Sequence, residues 1–249
     1  MIEKLQSALK ELKDFGLYAL KTGTEVEDMT FEEIQFLREI SKGIVPLNVK
    51  IGGPEARNDI RFLLSIDTDC IIAPMIESPY ALTNFIKTLD ELKKQHQKET
   101  KAGINIETIT GYMQLNAILN NPYAKSLTQI TAARTDFSNS MGLDADHPKV
   151  IELCKEIIIN CKKKGIETSI GGSIHSGIIE SLSREIPSDF INTRHMVIVR
   201  EILAKNPVPI LKKHLEFEIL LYEFLSSSKN PLRRKIHSER YHILRKRLL

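Results

Sequence analysis

The chain has 249 residues, of which 42% are hydrophobic and 27% are charged, with 12 Gly and 10 Pro. This composition is typical of globular proteins and excludes a mostly disordered, collagen-like or linker-rich chain. The length is compatible with one α/β barrel or with two smaller domains.

The positive charge is concentrated near the C-terminus. The formal net charge is +3. Residues 226–249 contain eight Lys and Arg against one acidic residue, a net of +7, which leaves about −4 for the other 225 residues. We therefore predict a single α/β barrel domain over residues 1–225 and a basic tail over residues 226–249. The tail is expected to contact an anionic partner, such as a nucleic acid or a membrane surface, or a neighbouring subunit, unless it is simply solvated.

The compartment follows from what the sequence lacks. No apolar segment approaches the roughly 18 residues of a membrane span, and the first residues are charged and amphipathic, without the apolar segment of a signal peptide. A cytoplasmic protein is therefore expected. Its cysteines, Cys70, Cys154 and Cys161, are scattered without a CxxC motif, which predicts reduced thiols in the core.

Short β-branched segments alternate with longer segments of helical periodicity along the chain. The predicted strands are residues 16–25, 45–52, 70–76, 103–108, 127–134, 167–171 and 190–199. The predicted helices are residues 31–41, 55–66, 79–97, 112–119, 148–164, 176–184 and 207–225. Strict alternation predicts a parallel sheet with right-handed crossovers, and strands that are apolar on both faces favour a closed TIM (β/α) barrel. The last helix is unusually apolar, which predicts a homo-oligomer.

Polar residues close several of the predicted strands, where the active sites of βα barrels lie. Asn105 and Glu107 are two apart and therefore share a face of their strand, and we expect the same of Arg134 and Asp136 on the next strand. Glu107 and Asp136 could then converge on a hard divalent cation, Mg²⁺ or Mn²⁺. Each carboxylate could instead cap a helix or pair with a basic residue.

Other polar residues near the strand ends leave two interpretations open. Lys21 and Lys50 could belong to the site or could pair with Glu25 or Glu77. His175, which follows a Gly-Gly-Ser turn, could touch a ligand or could simply begin a helix. Arg194 has the same two possibilities, ligand contact or a structural ion pair.

Several segments together resemble the HpcH/HpaI aldolase / citrate lyase beta-subunit family over about residues 15–199. They are KIGGPEARNDI, DCIIAPMIESPYAL, GINIET, ITAARTDFSNSMGLD, GIETSIGGSI and FINTR, in this order and spacing. The resemblance implies a TIM barrel of the phosphoenolpyruvate/pyruvate-binding kind and a divalent metal, usually Mg²⁺, held by Glu107 and Asp136. It also implies carbon–carbon bond chemistry through an enolate of a small 2-oxo acid or an acyl-CoA, whose negative charge a cation would stabilise.

The sequence departs from this family in four respects. The catalytic His of the aldolases is missing, because residues 24–28 are TEVED. The substrate-binding Arg appears as Lys50, the Gln before the metal-binding Glu appears as Asn105, and the first barrel strand is absent. Another group, Lys21, Glu25 or Lys50, would then move the proton.

Two functions therefore stay open. The first is a metal-dependent carbon–carbon lyase with substrate-binding residues Lys50, Glu77, Asn105, Arg134 and Thr135. The second is a non-catalytic barrel that binds an anionic metabolite or a partner protein.

Overall fold

A computed structural model describes residues 2–248 and shows a closed barrel of eight strands, which confirms the predicted TIM barrel. The strands are β1 (Leu17–Gly23), β2 (Leu47–Lys50), β3 (Cys70–Ala73), β4 (Lys101–Ile106), β5 (Leu127–Ala133), β6 (Glu167–Gly171), β7 (Phe190–Asn192) and β8 (Met196–Val199).

Helices cover the outside of the barrel. The α-helices are α1 (Ile2–Lys13), α2 (Phe31–Ser41), α3 (Arg57–Ser65), α4 (Pro79–His96), α5 (Ile109–Met113), α6 (Leu115–Leu119), α7 (Arg134–Ser140), α8 (Pro148–Lys162), α9 (Ser176–Glu185), α10 (Arg200–Leu203), α11 (Pro207–Leu225) and α12 (Pro231–Leu248), and a 3₁₀ helix spans Pro122–Ser126. Among the described residues no helix has the length and apolarity to cross a membrane.

The last strand differs from the prediction. Strands β1 to β7 pair in parallel in chain order, but β8 pairs antiparallel with both β7 and β1. The prediction of a single strand over residues 190–199 was therefore wrong. These residues form a hairpin whose turn consists of Thr193, Arg194 and His195. A connection this short can reverse the chain but cannot form a parallel crossover. The chain opens on α1 rather than on a strand, and β8 completes the barrel between β7 and β1.

Most helix predictions agree with the structure because their start signals act locally. Thr30 caps α2 in a capping box with Glu33, and Ser78 caps α4 with Pro79 in its first turn. The predicted helix over residues 112–119 is instead two short helices, because Thr108 caps a separate helix by accepting a hydrogen bond from Gly111 N. All three cysteines are free and buried, as predicted.

The basic tail folds back onto its own chain as α12. Arg233 Nη2 lies 2.5 Å from Glu33 Oε2, and His237 Nε2 lies 2.7 Å from Glu33 Oε1. Arg240 Nη2 donates to Val26 O at 2.8 Å. The tail therefore contacts an acidic side chain and a backbone carbonyl of its own chain. Its contact with a separate partner stays a prediction.

Helix α11 packs against α12, α9 and α1 of the same chain. Its buried residues include Leu211, Leu215, Leu221 and Tyr222. The apolar character that predicted a homo-oligomer is therefore largely covered within the chain.

Candidate active site

A cavity of about 200 Å³ opens at the carboxyl ends of the parallel strands, as expected for a βα barrel. Six of the nine predicted site residues line it: Lys21, Lys50, Asn105, Glu107, Thr135 and Asp136. The other three predicted residues, Glu25, Glu77 and Arg134, are not part of its lining.

Glu107 follows β4 directly and is 1% exposed. Its Oε1 accepts a hydrogen bond from Met75 N at 2.8 Å, and its Oε2 accepts one from Asn105 Nδ2 at 3.1 Å. Burial raises the pKa of Glu107 above its ordinary value, although the charge of Lys50 opposes the shift. The predicted common face of Asn105 and Glu107 is confirmed, since the two side chains are hydrogen-bonded and both line the cavity.

Arg134 and Asp136 do not share a face, so this prediction was wrong. Strand β5 ends at Ala133, and both residues belong to the first turn of α7. Residues two apart on a helix point in nearly opposite directions, whereas on a strand they point the same way. Asp136 accordingly lines the cavity, and burial raises its pKa, whereas Arg134 is fully buried outside it.

Arg134 joins the loops beside α7. Its guanidinium donates to Asp146 Oδ1 at 2.7 Å and to Gly172 O at 2.7 Å, with further bonds to Ala145 O and Ser173 O. These contacts favour a positioning role in place of the predicted substrate contact. Thr135, which does line the cavity, lies with its Oγ1 3.0 Å from Ser173 Oγ.

Two lysines and two glutamates form a charged group on the β1–β2 side of the cavity. Lys50 Nζ lies 2.5 Å from Glu25 Oε2 and 4.0 Å from Glu27 Oε2, while Lys21 Nζ lies 3.1 Å from Glu27 Oε1. The predicted pairing of Lys50 with Glu25 is present, but Lys21 pairs with Glu27 instead of Glu25 or Glu77.

The charges around Lys50 decide its protonation. Burial alone would lower the pKa of Lys50, but Glu27, Glu107 and Glu25 together raise it above the ordinary value. Lys50 therefore carries a positive charge at neutral pH. This charge suits it to bind an anion and not to act as a base, contrary to the idea of a lysine with a lowered pKa.

The remaining predicted residues divide between the cavity and its surroundings. Glu77 accepts a hydrogen bond from Thr108 Oγ1 at 2.5 Å outside the cavity lining. His175 begins α9, where its Nδ1 accepts from Gly177 N and its Nε2 lies 2.8 Å from Asp146 Oδ2. Of its two predicted roles, His175 therefore has the one at the start of a helix, and it is not part of the cavity lining. Arg194 lines the cavity and donates to Val26 O at 3.4 Å.

Sequence reasoning missed Glu218 of α11, which also lines the cavity and is 1% exposed. Its Oε1 accepts hydrogen bonds from Thr193 Oγ1 at 2.5 Å and from His195 N at 2.7 Å. The available signal was a carboxylate on the apolar face of a helix, three residues after Leu215 and three before Leu221.

His195 was also missed, and it lies behind the cavity wall. Its Nδ1 is 3.0 Å from Lys21 O and its Nε2 is 2.6 Å from the Tyr222 hydroxyl. Burial lowers the pKa of His195 to about 3, so the imidazole is neutral, and with Nδ1–H donating to the carbonyl its Nε2 accepts from Tyr222. His195 thus fixes β1 and α11 to the β7–β8 turn.

The family model for HpcH/HpaI aldolase/citrate lyase matches residues 26–171. The chain belongs to this family. Solved structures support the same fold. The HpcH/HpaI aldolase from Desulfitobacterium hafniense DCB-2 has a TM-score of 0.62 at 16% identity, covering 76% of this chain and 81% of that one. A family protein from Burkholderia cenocepacia J2315 has a TM-score of 0.58 at 15% identity, covering 76% and 91%.

A curated relative covers part of the chain. The probable phosphoenolpyruvate synthase of Methanocaldococcus jannaschii is 26% identical over an alignment of 156 residues that covers 58% of this chain. The match spans 13% of that much longer protein. Membership of the HpcH/HpaI family is what supports a lyase-type activity for this chain.

The carboxylates of the cavity are compatible with the divalent metal that the family resemblance implies. Glu107 and Asp136 line one cavity, and among the described residues neither forms a salt bridge with Lys or Arg. No group of three or more His, Cys, Asp and Glu suited to a metal occurs in the described part of the chain. Two carboxylates are nevertheless a sufficient protein contribution for Mg²⁺, which commonly keeps several waters.

Proposed function

We propose that this HpcH/HpaI family protein is a divalent-metal-dependent carbon–carbon lyase. Its substrate would be a small 2-oxo acid or an acyl-CoA carrying a hydroxyl group β to the carbonyl. The observation that carries the proposal is that Glu107 and Asp136, from consecutive βα units, line one cavity without a basic partner in the described structure. Carboxylates that line a cavity, are removed at least in part from water and form no close ion pair favour binding of a cation.

Glu107 and Asp136 would hold Mg²⁺ or Mn²⁺, and Asn105 would keep Glu107 oriented through its hydrogen bond. The bound ion would supply Lewis-acid stabilisation of the enolate oxygen. The chain's own residues would then bind the substrate and move its proton.

Lys50 would bind the carboxylate or developing oxyanion of the substrate, because it is buried, positively charged and part of the cavity wall. Glu25 would hold Lys50 in place through their 2.5 Å contact. Lys21 and Thr135 would add further donors to the substrate. Glu77 and Arg134, which lie outside the lining, would act by positioning the loops.

The test is release of pyruvate from 4-hydroxy-2-oxo acids, and of an acyl fragment from β-hydroxyacyl-CoA thioesters, with and without Mg²⁺. We expect cleavage that requires Mg²⁺ and is lost in Glu107→Gln and Asp136→Asn. Thermal unfolding gives a second readout, since Mg²⁺ should raise the Tm of the wild type but not of these two variants. Glu91→Gln, on the exposed surface of α4, is the matched control and should behave as the wild type. Full activity in both cavity variants would contradict the proposal.

A non-catalytic binding protein is the alternative that the missing aldolase His favours. In the described structure, no His belongs to the cavity lining. Tight binding of an oxo acid or acyl-CoA by calorimetry, without turnover across the whole substrate panel, would establish this alternative.

Homo-oligomerisation is part of the proposal in either case and is tested by light scattering in solution.

A further inference from the structure

Glu218 lines the cavity beside the β7–β8 turn, whereas Glu107 and Asp136 follow β4 and β5 on another part of the barrel. Glu218 Oε2 is buried and has no hydrogen-bond partner among the described residues, whereas Glu218 Oε1 accepts two hydrogen bonds from the β7–β8 turn. Leaving a buried acceptor without a donor is unfavourable, so the arrangement favours a ligand that brings a donor to Oε2.

The surroundings of Glu218 are unusual for a helix residue. Helix α11 lies outside the barrel, but Glu218 and Leu215 both belong to the cavity lining, and Glu218 is hydrogen-bonded to the β7–β8 turn. The hairpin turn donates Thr193 Oγ1 and His195 N to a single carboxylate oxygen, which fixes the orientation of the whole group. The second oxygen is left free for chemistry.

The electrostatic setting agrees with a proton-transfer role. Burial raises the pKa of Glu218 above its ordinary value, although the Thr193 and His195 hydrogen bonds and the charges of Arg194 and Lys21 oppose the shift. A carboxylate with a raised pKa is a more effective proton acceptor near neutral pH than an exposed one. Of the groups considered above for this task, Glu25 pairs with Lys50 outside the lining, Lys21 pairs with Glu27, and Lys50 is a cation. Glu27 also lines the cavity with an Oε2 that accepts no hydrogen bond in the described structure, but it lies 3.1 Å from Lys21 and 4.0 Å from Lys50. Burial alone would raise the pKa of Glu27, but these two charges lower it, which makes Glu27 a poor proton acceptor.

We propose that Glu218 is the proton-transfer residue of the lyase reaction, taking the place of the missing aldolase His. The inference rests on the proposed function, and it identifies which residue of this chain accepts the proton from the substrate hydroxyl. The hydroxyl group β to the substrate carbonyl would then donate the hydrogen bond that Glu218 Oε2 does not receive from the described residues.

The step balances as follows. Glu218 Oε2 takes the proton of the hydroxyl, and the O–H electron pair becomes the second bond of the departing aldehyde or ketone. The bond between the α and β carbons breaks, and its electrons form the enolate. The α carbon of the enolate then takes a proton from water, and Glu218 gives its proton to water, so the sum is cleavage without any oxidant or reductant.

The test compares two reactions of the same site. Cleavage of a 4-hydroxy-2-oxo acid needs the hydroxyl proton to be removed, whereas hydrogen–deuterium exchange at the methyl group of pyruvate needs only the enolate. We expect Glu218→Gln to lower kcat for cleavage by about 100-fold or more, with KM and pyruvate exchange both within about 3-fold of the wild type. The amide oxygen can still accept both hydrogen bonds from the turn, so the variant should keep the fold.

Glu216→Gln is the matched control, because Glu216 is an exposed carboxylate of the same helix and is not part of the cavity lining. It should leave kcat within about 3-fold of the wild type. A kcat for Glu218→Gln within about 3-fold of the wild type would overturn the assignment, and so would parallel losses of cleavage and exchange, which indicate a disturbed site.

A second variant separates chemistry from structure. In Glu218→Ala, added formate should restore cleavage by about 10-fold or more, because a small carboxylate can occupy the vacated volume and accept the proton. No rescue, in a variant with a wild-type circular dichroism spectrum, would count against a base at this position. If the wild type itself shows neither cleavage nor exchange, the proposed function fails and this inference with it. If the wild type is active but Glu218→Gln is equally so, the assignment of Glu218 alone is wrong.

Discussion

Arg233 and Glu33 are 200 positions apart in the chain, yet Arg233 Nη2 lies 2.5 Å from Glu33 Oε2. Arg233 also contacts Asp28 Oδ2 at 2.9 Å, in the loop that follows β1. The same loop carries Glu25 and Glu27, which pair with the cavity lysines. The basic C-terminal helix therefore holds in place a loop that orders one side of the candidate active site.

Replacing Arg233 with Met should lower the free energy of unfolding by about 2 kcal/mol, because it removes the cation that pairs with the largely shielded Glu33 and with the exposed Asp28. The measurement is urea unfolding at neutral pH. Arg234→Met is the control, since Arg234 is exposed, and its change should stay within about 0.5 kcal/mol. Equal losses in the two variants would show that α12 is held by general charge attraction.

Stability should fall in acid between about pH 4.5 and pH 2 because of Glu33. Burial alone would raise the pKa of Glu33, but hydrogen bonds from His237, Arg233 and Thr30 N lower it to about 2. A carboxylate with a lowered pKa in the folded state stabilises the protein above its unfolded pKa, and this contribution is lost as the pH falls toward the folded value. Glu33→Gln should flatten the acid limb of a plot of unfolding free energy against pH. An unchanged limb would contradict the prediction.

Gly172→Ala should cost about 3 kcal/mol of stability. Gly172 has φ of +85°, and an added Cβ would lie 2.5 Å from Thr135 N and 2.9 Å from Arg134 N. The substitution would therefore displace the start of α7, which carries Asp136. Gly142→Ala is the matched control, because Gly142 has φ of +66° and no described atom lies within 4 Å of the added one, and it should cost only about 1 kcal/mol. Similar costs at the two sites, measured by urea unfolding, would mean that the α7 contact can relax.

Lys50→Met should weaken the binding of oxalate, a mimic of the enolate, by about 10-fold or more. The variant removes the buried positive charge of the cavity wall and leaves Glu25 and Glu27 to repel the anion. Calorimetry in the presence of Mg²⁺ provides the measurement. Lys50→Arg keeps the charge and should restore most of the affinity, whereas equal affinity in Lys50→Met and the wild type would exclude Lys50 as the anion-binding residue.

The comparison of Asn105–Glu107 with Arg134–Asp136 shows why only part of the site could be predicted. Both pairs have the same spacing at the end of a predicted strand. Asn105 and Glu107 keep the extended geometry of a strand. Strand β5 ends one residue earlier than expected, so Arg134 and Asp136 belong to a helix. Strand ends depend on cross-strand hydrogen bonds, which sequence spacing does not contain, and a shift of one residue changes which side chain reaches the cavity.

The sequence by itself determined the alternation of strands and helices, the start of helices such as α2 and α4, and the position of Glu107 and Asp136 just after two neighbouring strands, because hydrophobic periodicity and capping act over a few residues. Only the tertiary structure decided that β8 runs antiparallel, that Glu218 reaches the barrel mouth and that α12 binds the loop after β1. These features depend on contacts between residues far apart in the chain. Such contacts form only when the barrel closes and brings the two ends of the chain together.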